Sequence, residues 1–407
     1  MKTDCIDPAP CCQVRVLDTL SQLEAERDSW RELWNRCYGA RTPYLSFEWV
    51  QVWARHFSHG RALHVLVAEA DGTVLGIMPL AHARYRLGLL SLDVLETVGG
   101  ESRNLIALVA PGNDSTVARA MAEHLAAAAL AGRRVLRLAL VPSGHPFLRC
   151  LVDALGTVMP RLALRLSTCN YAPYAPLPAL WDDFQRSLGK RRQKILARAQ
   201  RRLDLERKEV RLVRRSGADV QDAMRRLYDM HDARWKTSGI RGLFHDPGNR
   251  AYHLDLARMC DSMGWLDLSE LEIDGVSVSA YFSCVLDSVA YMMRSGRDTA
   301  FVDYDVGHLH DYGLLRKWIA TGLREADLLR GAEPYKFYWT SKYRVYKELT
   351  VVRSGISGRM SLAVVRFWMR AARFLGHRHP PGEMLAYVRT RRANVRELRT
   401  MGVRLTE

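Results

Sequence analysis

Apolar residues recur at helical spacing over residues 19–37, where Leu20, Leu23, Trp30, Leu33 and Trp34 share a stripe. After Pro43 the pattern repeats, with Trp49, Val52, Trp53 and Phe57 facing one way behind Ser46 as N-cap. The period then drops to two. In HVLVAEADGTVLGIMPLA the apolar positions alternate on either side of Asp71-Gly72, a strong short-range hairpin signal. Further strands are expected near 90–98 and 104–109, then a helix over 115–131 capped by Asn113 or Asp114 and ended at Gly132. VLRLALV reads as a buried strand, followed by a helix near 146–155 and a strand near 162–168. The proline-rich run YAPYAPLP, 171–178, reads as a connector.

The second half carries the same order. Residues 179–209 read as one long basic helix and 218–236 as another, with Val220, Met224, Leu227 and His231 on one stripe. WLDLSELEIDGVSVSAYFSC again alternates around Asp-Gly, here Asp274-Gly275. VAYMMRS is a third strand turning at Gly296. The loop FVDYDVGH leads to a helix over 308–321 stopped by Gly322, and LREADLLRG supplies a buried strand. Hairpin, strand, helix and apolar strand recur at an offset of about two hundred residues, so an internal duplication of α/β modules is expected.

The expected division is a disordered 1–12, a first module over 13–170, a connector and basic helix over 171–215, a second and catalytic module over 216–355, and a basic helical tail over 356–407. In the tail, Leu362, Val365, Trp368, Met369 and Leu375 lie near one face beside arginines, as for packing on the second module or lying on an anionic membrane surface.

Composition narrows this. The chain has 407 residues, 48% hydrophobic and 26% charged, as in a soluble globular protein of two domains. No apolar run approaches a membrane span and the N-terminus has no signal pattern, so a cytoplasmic protein, peripheral to the inner membrane at most, is expected. Eight scattered cysteines, none in a CxxC pair, point to neither zinc nor a disulfide framework. His308-x-His310 and His377-x-His379 are too isolated for a metal site. The net charge of +16 is concentrated between Arg186 and Arg215, where thirteen Lys or Arg face three acids. Such a field attracts phosphates, nucleic acid or an anionic surface. Nucleic acid as the main partner is disfavoured, because no aromatic residues interleave with these cations.

The chemistry converges on DLLRGAEPYKFYWT, 327–340. It reads as a short strand (Leu328, Leu329) broken by Gly331, a turn fixed by Pro334, and a second, aromatic strand. Glu333, Tyr335, Lys336 and Trp339 are then presented together at a strand end. The plainer reading is a hairpin corner whose charges are solvated. Arg234-Trp235, the hairpin of 266–284, the Tyr-rich loop of 303–308, a helix, and Asp-Leu-Leu-x-Gly-x-Glu-x-Tyr-Lys-x-x-Trp occur in that order. This resembles the GNAT-like acetyltransferase family that includes the CelD-type proteins of bacterial cellulose and exopolysaccharide gene clusters. It is similar, more distantly, to the Fem-type aminoacyl-ligases, which carry two GNAT modules in one chain.

The resemblance implies an α/β (α+β) fold of tandem GNAT-like modules, each a mixed central sheet flanked by helices. It implies acyl transfer from a phosphate-bearing donor, acetyl-CoA or another acyl-CoA, to a small-molecule or glycan amine, with no metal. Such a reaction needs a base, a phosphate cradle and donors for the oxyanion. Glu333 is the first choice for the base and Asp305 the second. Tyr335 and Tyr304 are candidate proton donors to the thiolate, and Lys336 a partner for phosphate or oxyanion. Tyr304, Gly307, His308 and Arg294 fall at the cofactor, and Arg234, Trp235, Arg241 and Trp339 at the acceptor groove.

One stretch departs from the family pattern. Where relatives carry several glycines, this chain has Asp303-Tyr304-Asp305-Val306-Gly307-His308, and two acids suit a pyrophosphate poorly. Val98-Gly99-Gly100-Glu101-Ser102 in the first half is also a weak cradle, as though one module were silent. Three functions remain open: an N-acyltransferase of envelope or exopolysaccharide assembly, a Fem-like transferase using aminoacyl-tRNA, and a non-catalytic subunit beside a polysaccharide synthase.

Overall fold

The structure is a computed structural model that describes residues 12–37, 41–87, 90–98, 106–129, 135–159 and 162–353, with isolated positions beyond. The expected disordered N-terminus, the 99–105 part of the Gly-Gly loop, Gly132 and nearly all of the basic tail lie outside the described residues.

In chain order the elements are β1 Gln13–Leu17, α1 Leu20–Ala25, α2 Arg27–Arg36, α3 Phe47–Phe57, β2 Ala62–Leu63, β3 Val65–Ala70, β4 Thr73–Met78, β5 Leu80–Leu87, β6 Leu90–Thr97 and β7 Leu108–Val109. Then come α4 Asp114–His124, β8 Val135–Pro142, α5 Pro146–Val158, β9 Leu162–Pro176, α6 Trp181–Ser187, α7 Lys190–Leu205, β10 Val210–Arg215, α8 Val220–Thr237 and α9 Pro247–Ser262. β11 Leu266–Ile273, β12 Val276–Leu286, β13 Val289–Arg297, α10 Val306–Ala320, β14 Glu325–Asp327 and β15 Tyr343–Arg353 complete the chain. It divides into two compact units, 1–169 with 346–377, and 170–345 with 378–407.

In the first unit one antiparallel sheet has the order β1-β3-β4-β7. A second runs β15-β8-β6-β5-β2 and is mixed, because β6 and β8 are parallel and joined through α4. α4 and α5 supply Val117, Met121, Phe147 and Leu151 to a core shared with Leu66, Leu95, Leu136 and Leu349. As expected, Ser46 caps α3, its Oγ accepting from the Trp49 N–H at 3.2 Å.

In the second unit the sheet order is β10-β11-β12-β13-β14-β9. β10 to β13 are antiparallel neighbours, β14 pairs parallel with β13 after the α10 crossover, and β9 closes antiparallel. One face of α10 packs Leu314, Leu315, Trp318 and Ile319 against Tyr281, Ala290 and Ala326. The duplication is visible in the turns: Asp71 and Asp274 stand at φ 49° and 52°, followed by Gly72 and Gly275 at 73° and 78°. Two successive left-handed residues are what a tight hairpin needs, and Asp-Gly adopts them at low cost. The fold is thus two α/β modules, each with a mixed sheet and flanking helices.

Several local expectations are corrected. The basic stretch 179–209 is two helices, because Leu188 and Gly189 adopt extended angles between α6 and α7. The presumed connector 171–178 is largely strand: Pro173 offers its carbonyl to the Leu328 N–H at 3.0 Å, and Pro176 ends β9, so neither ring displaces a needed N–H. β13 does not turn at Gly296 but continues to Arg297. Leu328 and Leu329 follow β14 rather than form it, Leu329 being left-handed at φ 58°. The aromatic stretch after Gly331 is a 3₁₀ turn, Pro334–Tyr338, since proline presets the φ of a first helical position. No element was expected over 247–262, yet Asp246 caps α9 there, with Pro247 at its first position.

Candidate active site

A small cleft of about 30 Å³, open to solvent, lies inside the second unit. α8 contributes Arg234, β12 contributes Ser279 and Tyr281, and β13 contributes Ser295, Gly296 and Arg297. The first turns of α10 give Gly307, His308 and Asp311, and the 3₁₀ turn gives Tyr335. α8 reaches the sheet only because residue 296 has no side chain. A Cβ there would stand 2.5 Å from the Leu227 carbonyl oxygen and 3.0 Å from the His231 nitrogen.

Asp311 is the most constrained carboxylate of the cleft, only 2% exposed. Its Oδ2 accepts from the Trp339 indole at 2.9 Å, and the Tyr281 phenol is its second hydrogen-bonding neighbour. Burial raises its pKa above the ordinary carboxylate range against the opposing pull of Tyr281 and His308. Beside it, His308 Nδ1 meets Asp305 Oδ1 at 2.7 Å. Burial works against the imidazolium, but the hydrogen bond and charge of Asp305 outweigh it, so the His308 pKa is raised. Burial, then the charges of Glu333 and Asp311, push the Tyr335 phenol well above its usual value.

Behind the cleft the polar groups are fixed. Ser279 Oγ donates to the Gly296 carbonyl at 3.1 Å, so the His310 Nδ1–H must donate to Ser279 at 3.0 Å. His310 Nε2 then accepts from Ser269 at 2.9 Å, which makes the imidazole neutral, and burial lowers its pKa to about 3.

The residues expected from sequence fall into three groups. Tyr335, Gly307, His308 and Arg234 line the cleft. Asp305 and Trp339 stand one contact behind, holding His308 and Asp311. The others are engaged elsewhere. Lys336 is buried with Nζ donating to the Arg330 carbonyl at 2.7 Å and pairing with Glu333 at 2.9 Å, so that this pair shapes the turn after Gly331. Tyr304 bonds Glu206 and stacks under Arg202. Trp235 donates to His231 Nε2 at 3.0 Å, Arg294 donates to the Met293 carbonyl, and Arg241 is exposed.

Asp311, Tyr281 and Arg297 were not singled out from sequence. For Asp311 a signal existed: it lies four residues before Leu315 and seven before Trp318, an acid on the apolar stripe of its helix.

The two acids of the loop before α10 are less hostile to a phosphate than they look. Asp305 is spent on His308, and Asp303 lies 3.7 Å from Arg202. The first turn of α10 leaves amides free for an anion. A Cβ on Gly307 would narrow that place, reaching 3.1 Å from Arg297 Nη1. Among the described residues no group of three His, Cys, Asp or Glu is set to hold a metal ion.

The cleft thus sets a buried carboxylate beside the first turn of a crossover helix, at a sheet split by a parallel pair. Residues 189–337 match the family model of the acetyltransferase (GNAT) domain. The whole chain is similar in structure to FemX, at 9% identity and a TM-score of 0.57 over 87% of this chain and 99% of that one. It is also similar to the C-terminal DUF2156 domain of a putative lysylphosphatidylglycerol synthetase from Agrobacterium fabrum, at 14% identity and a TM-score of 0.50, over 84% of this chain and 95% of that one. Comparison with curated proteins finds no match. At these identities the structural likeness is one of fold. Residues 189–337 are similar to the acetyltransferase (GNAT) domain, and the chain shares its fold with FemX.

Proposed function

We propose that the second unit is an N-acyltransferase that moves an acyl group from acyl-CoA to an amine acceptor, with Asp311 as the base, in assembly of an envelope component or exopolysaccharide. The observation that carries this reading is the buried Asp311 carboxylate at the cleft wall, held by the Trp339 indole beside the Tyr281 phenol. Its raised pKa makes the carboxylate a stronger base toward an ammonium proton.

Asp311 Oδ1 takes a proton from the acceptor ammonium, and the freed amine attacks the thioester carbonyl carbon. The carbonyl electron pair moves onto oxygen, where the Tyr335 phenol, kept protonated by its raised pKa, donates a hydrogen bond. Collapse re-forms the carbonyl, breaks the C–S bond, and passes one of the two remaining nitrogen protons to the departing thiolate, the other staying on the amide. The proton on Asp311 returns to solvent. Gly307 and the first amides of α10 are the residues that would hold donor phosphate.

Asp311→Asn retains an acceptor for the Trp339 indole and should fold. It is expected to lower kcat/KM by roughly 10²–10⁴-fold. A variant within a factor of two of the parent in a transfer assay would reject Asp311 as the base. The second reading, transfer from aminoacyl-tRNA, is favoured by the exposed Lys190, Lys194, Arg198 and Arg201, none of which has an acidic partner among the described residues. Titration of the full chain with acetyl-CoA and with aminoacyl-tRNA decides the donor.

A further inference from the structure

The cleft has an unusual charge balance. Arg234 and Arg297 both line it, and among the described residues neither guanidinium has a carboxylate partner or a side-chain hydrogen bond. Arg234 leans only on the Trp235 ring, 5.6 Å from its centroid. Burial, then the like charge of Arg234, depress the Arg297 pKa, the mark of two cations sharing one low-dielectric place. Several other arginines of this unit are matched: Arg215 and Arg226 both bond Glu270, and Arg344 bonds Glu325, whereas Arg192 bonds only the Phe337 carbonyl. Across the same cleft the Asp311 carboxylate is buried beside the Tyr281 phenol, and His308 Nε2 is buried and unpartnered.

A buried carboxylate therefore faces two guanidinia that make no close ion pair among the described residues. A plain amine or an amino sugar would satisfy Asp311 and leave both guanidinia without a paired anion, at a cost that buried charges do not bear well. A carboxylate offers the planar, two-oxygen surface that guanidinium forks bind best.

We infer that the cleft seats an acceptor bearing a carboxylate next to its amine, an α-amino acid or the equivalent group of a larger molecule, with the ammonium at Asp311 and the carboxylate between Arg234 and Arg297. This rests on the transferase reading for its use, but the recognition is a binding property and is measured apart from transfer. The same two cations could instead serve donor phosphate, and the test separates these sources.

The full chain is titrated calorimetrically with a panel of L-α-amino acids, their decarboxylated amines, their N-acetyl derivatives and ADP. At least one amino acid should bind about tenfold or more tighter than both its amine and its N-acetyl form. Arg234→Gln and Arg297→Gln should each bring that ratio towards one, while Asp311→Asn should weaken the amino acid more than its N-acetyl form. Equal binding of amine and amino acid overturns the inference, as does no amino-acid binding at all. So does a result in which the arginine variants weaken ADP and spare the amino acid. If amino acids bind selectively but are never acylated, the subsite stands and the transferase reading falls. If amines are acylated without regard to a carboxylate, the transferase stands and the subsite falls.

Discussion

At the scale of single residues, Gly296 and Gly156 make opposite predictions from the same substitution. At Gly296 an added methyl meets backbone, 2.5 Å from the Leu227 oxygen, and Met230 Cβ at 2.9 Å. Neither can rotate away, so Gly296→Ala must push α8 off the sheet and move Arg234 with it. A loss of about 2–3 kcal/mol is expected for overpacking of this kind, read by urea denaturation. Gly156 lies exposed on α5 with nothing within 4 Å of the new atom. There the same change relieves helix entropy, and Gly156→Ala should be neutral or stabilise by about 0.5–1 kcal/mol. Equal effects at the two positions would remove the case for a close helix–sheet approach at the cleft. Nothing in a linear reading of SGR, 295–297, marks that approach, because it depends on which helix crosses which strand.

At the scale of elements, what repeats locally was legible and what depends on partners was not. Asp71-Gly72 and Asp274-Gly275 announce hairpins by backbone preference alone, and both are there. No strand is expected over 210–215, where VRLVRR reads only as more of the basic run. In β10 Arg215 faces acids across the sheet, Glu270 and Glu272. Lys208 likewise pairs with Asp274, and Arg202 with Glu206. Much of the positive block is thereby neutralised, which no count of charges along the chain reveals.

The remaining charge is concentrated on α7. Lys190, Lys194, Arg198 and Arg201 are exposed at spacings of four, four and three, opposite the buried Ala199 and Leu203. Reversing all four to Glu leaves the buried stripe untouched. The variant should keep its melting temperature, and its affinity for a polyanion such as heparin should show a log–log salt slope shallower by about 3–4. An unchanged slope would assign the polyanion contact to another surface.

At the scale of the molecule, buried imidazoles should weaken the fold in acid; burial lowers His124 and His145 in the first unit, and the second unit holds three more. Burial lowers the pKa of His231 to about 4, and of His253 and His310 to about 3. An imidazole depressed in the folded state contributes stability that is present above its unfolded pKa, near 6.5, and lost as the pH falls towards the folded value. Below pH 6.5 the unfolded chain takes up three protons that the folded unit refuses. Asp327, raised by burial to about 6, acts the other way, because the folded state binds its proton first; Asp311 shares that direction. The three imidazoles outnumber these carboxyls, leaving about one to two protons of difference near pH 5, or about 1.4–2.8 kcal/mol of stability lost per pH unit. Urea midpoints taken from pH 7 to 4.5 should therefore fall steadily below 6.5. His253, whose Nδ1 lies 2.8 Å from the Asn249 carbonyl, is the cleanest probe, since it stands apart from the cleft residues. His253→Gln should remove close to one proton from that slope, whatever it does to the absolute stability. A slope that is flat in the parent chain, or unchanged in the variant, would mean that these rings are charged in the folded protein, against the neutral tautomer that Ser269 and Ser279 impose on His310.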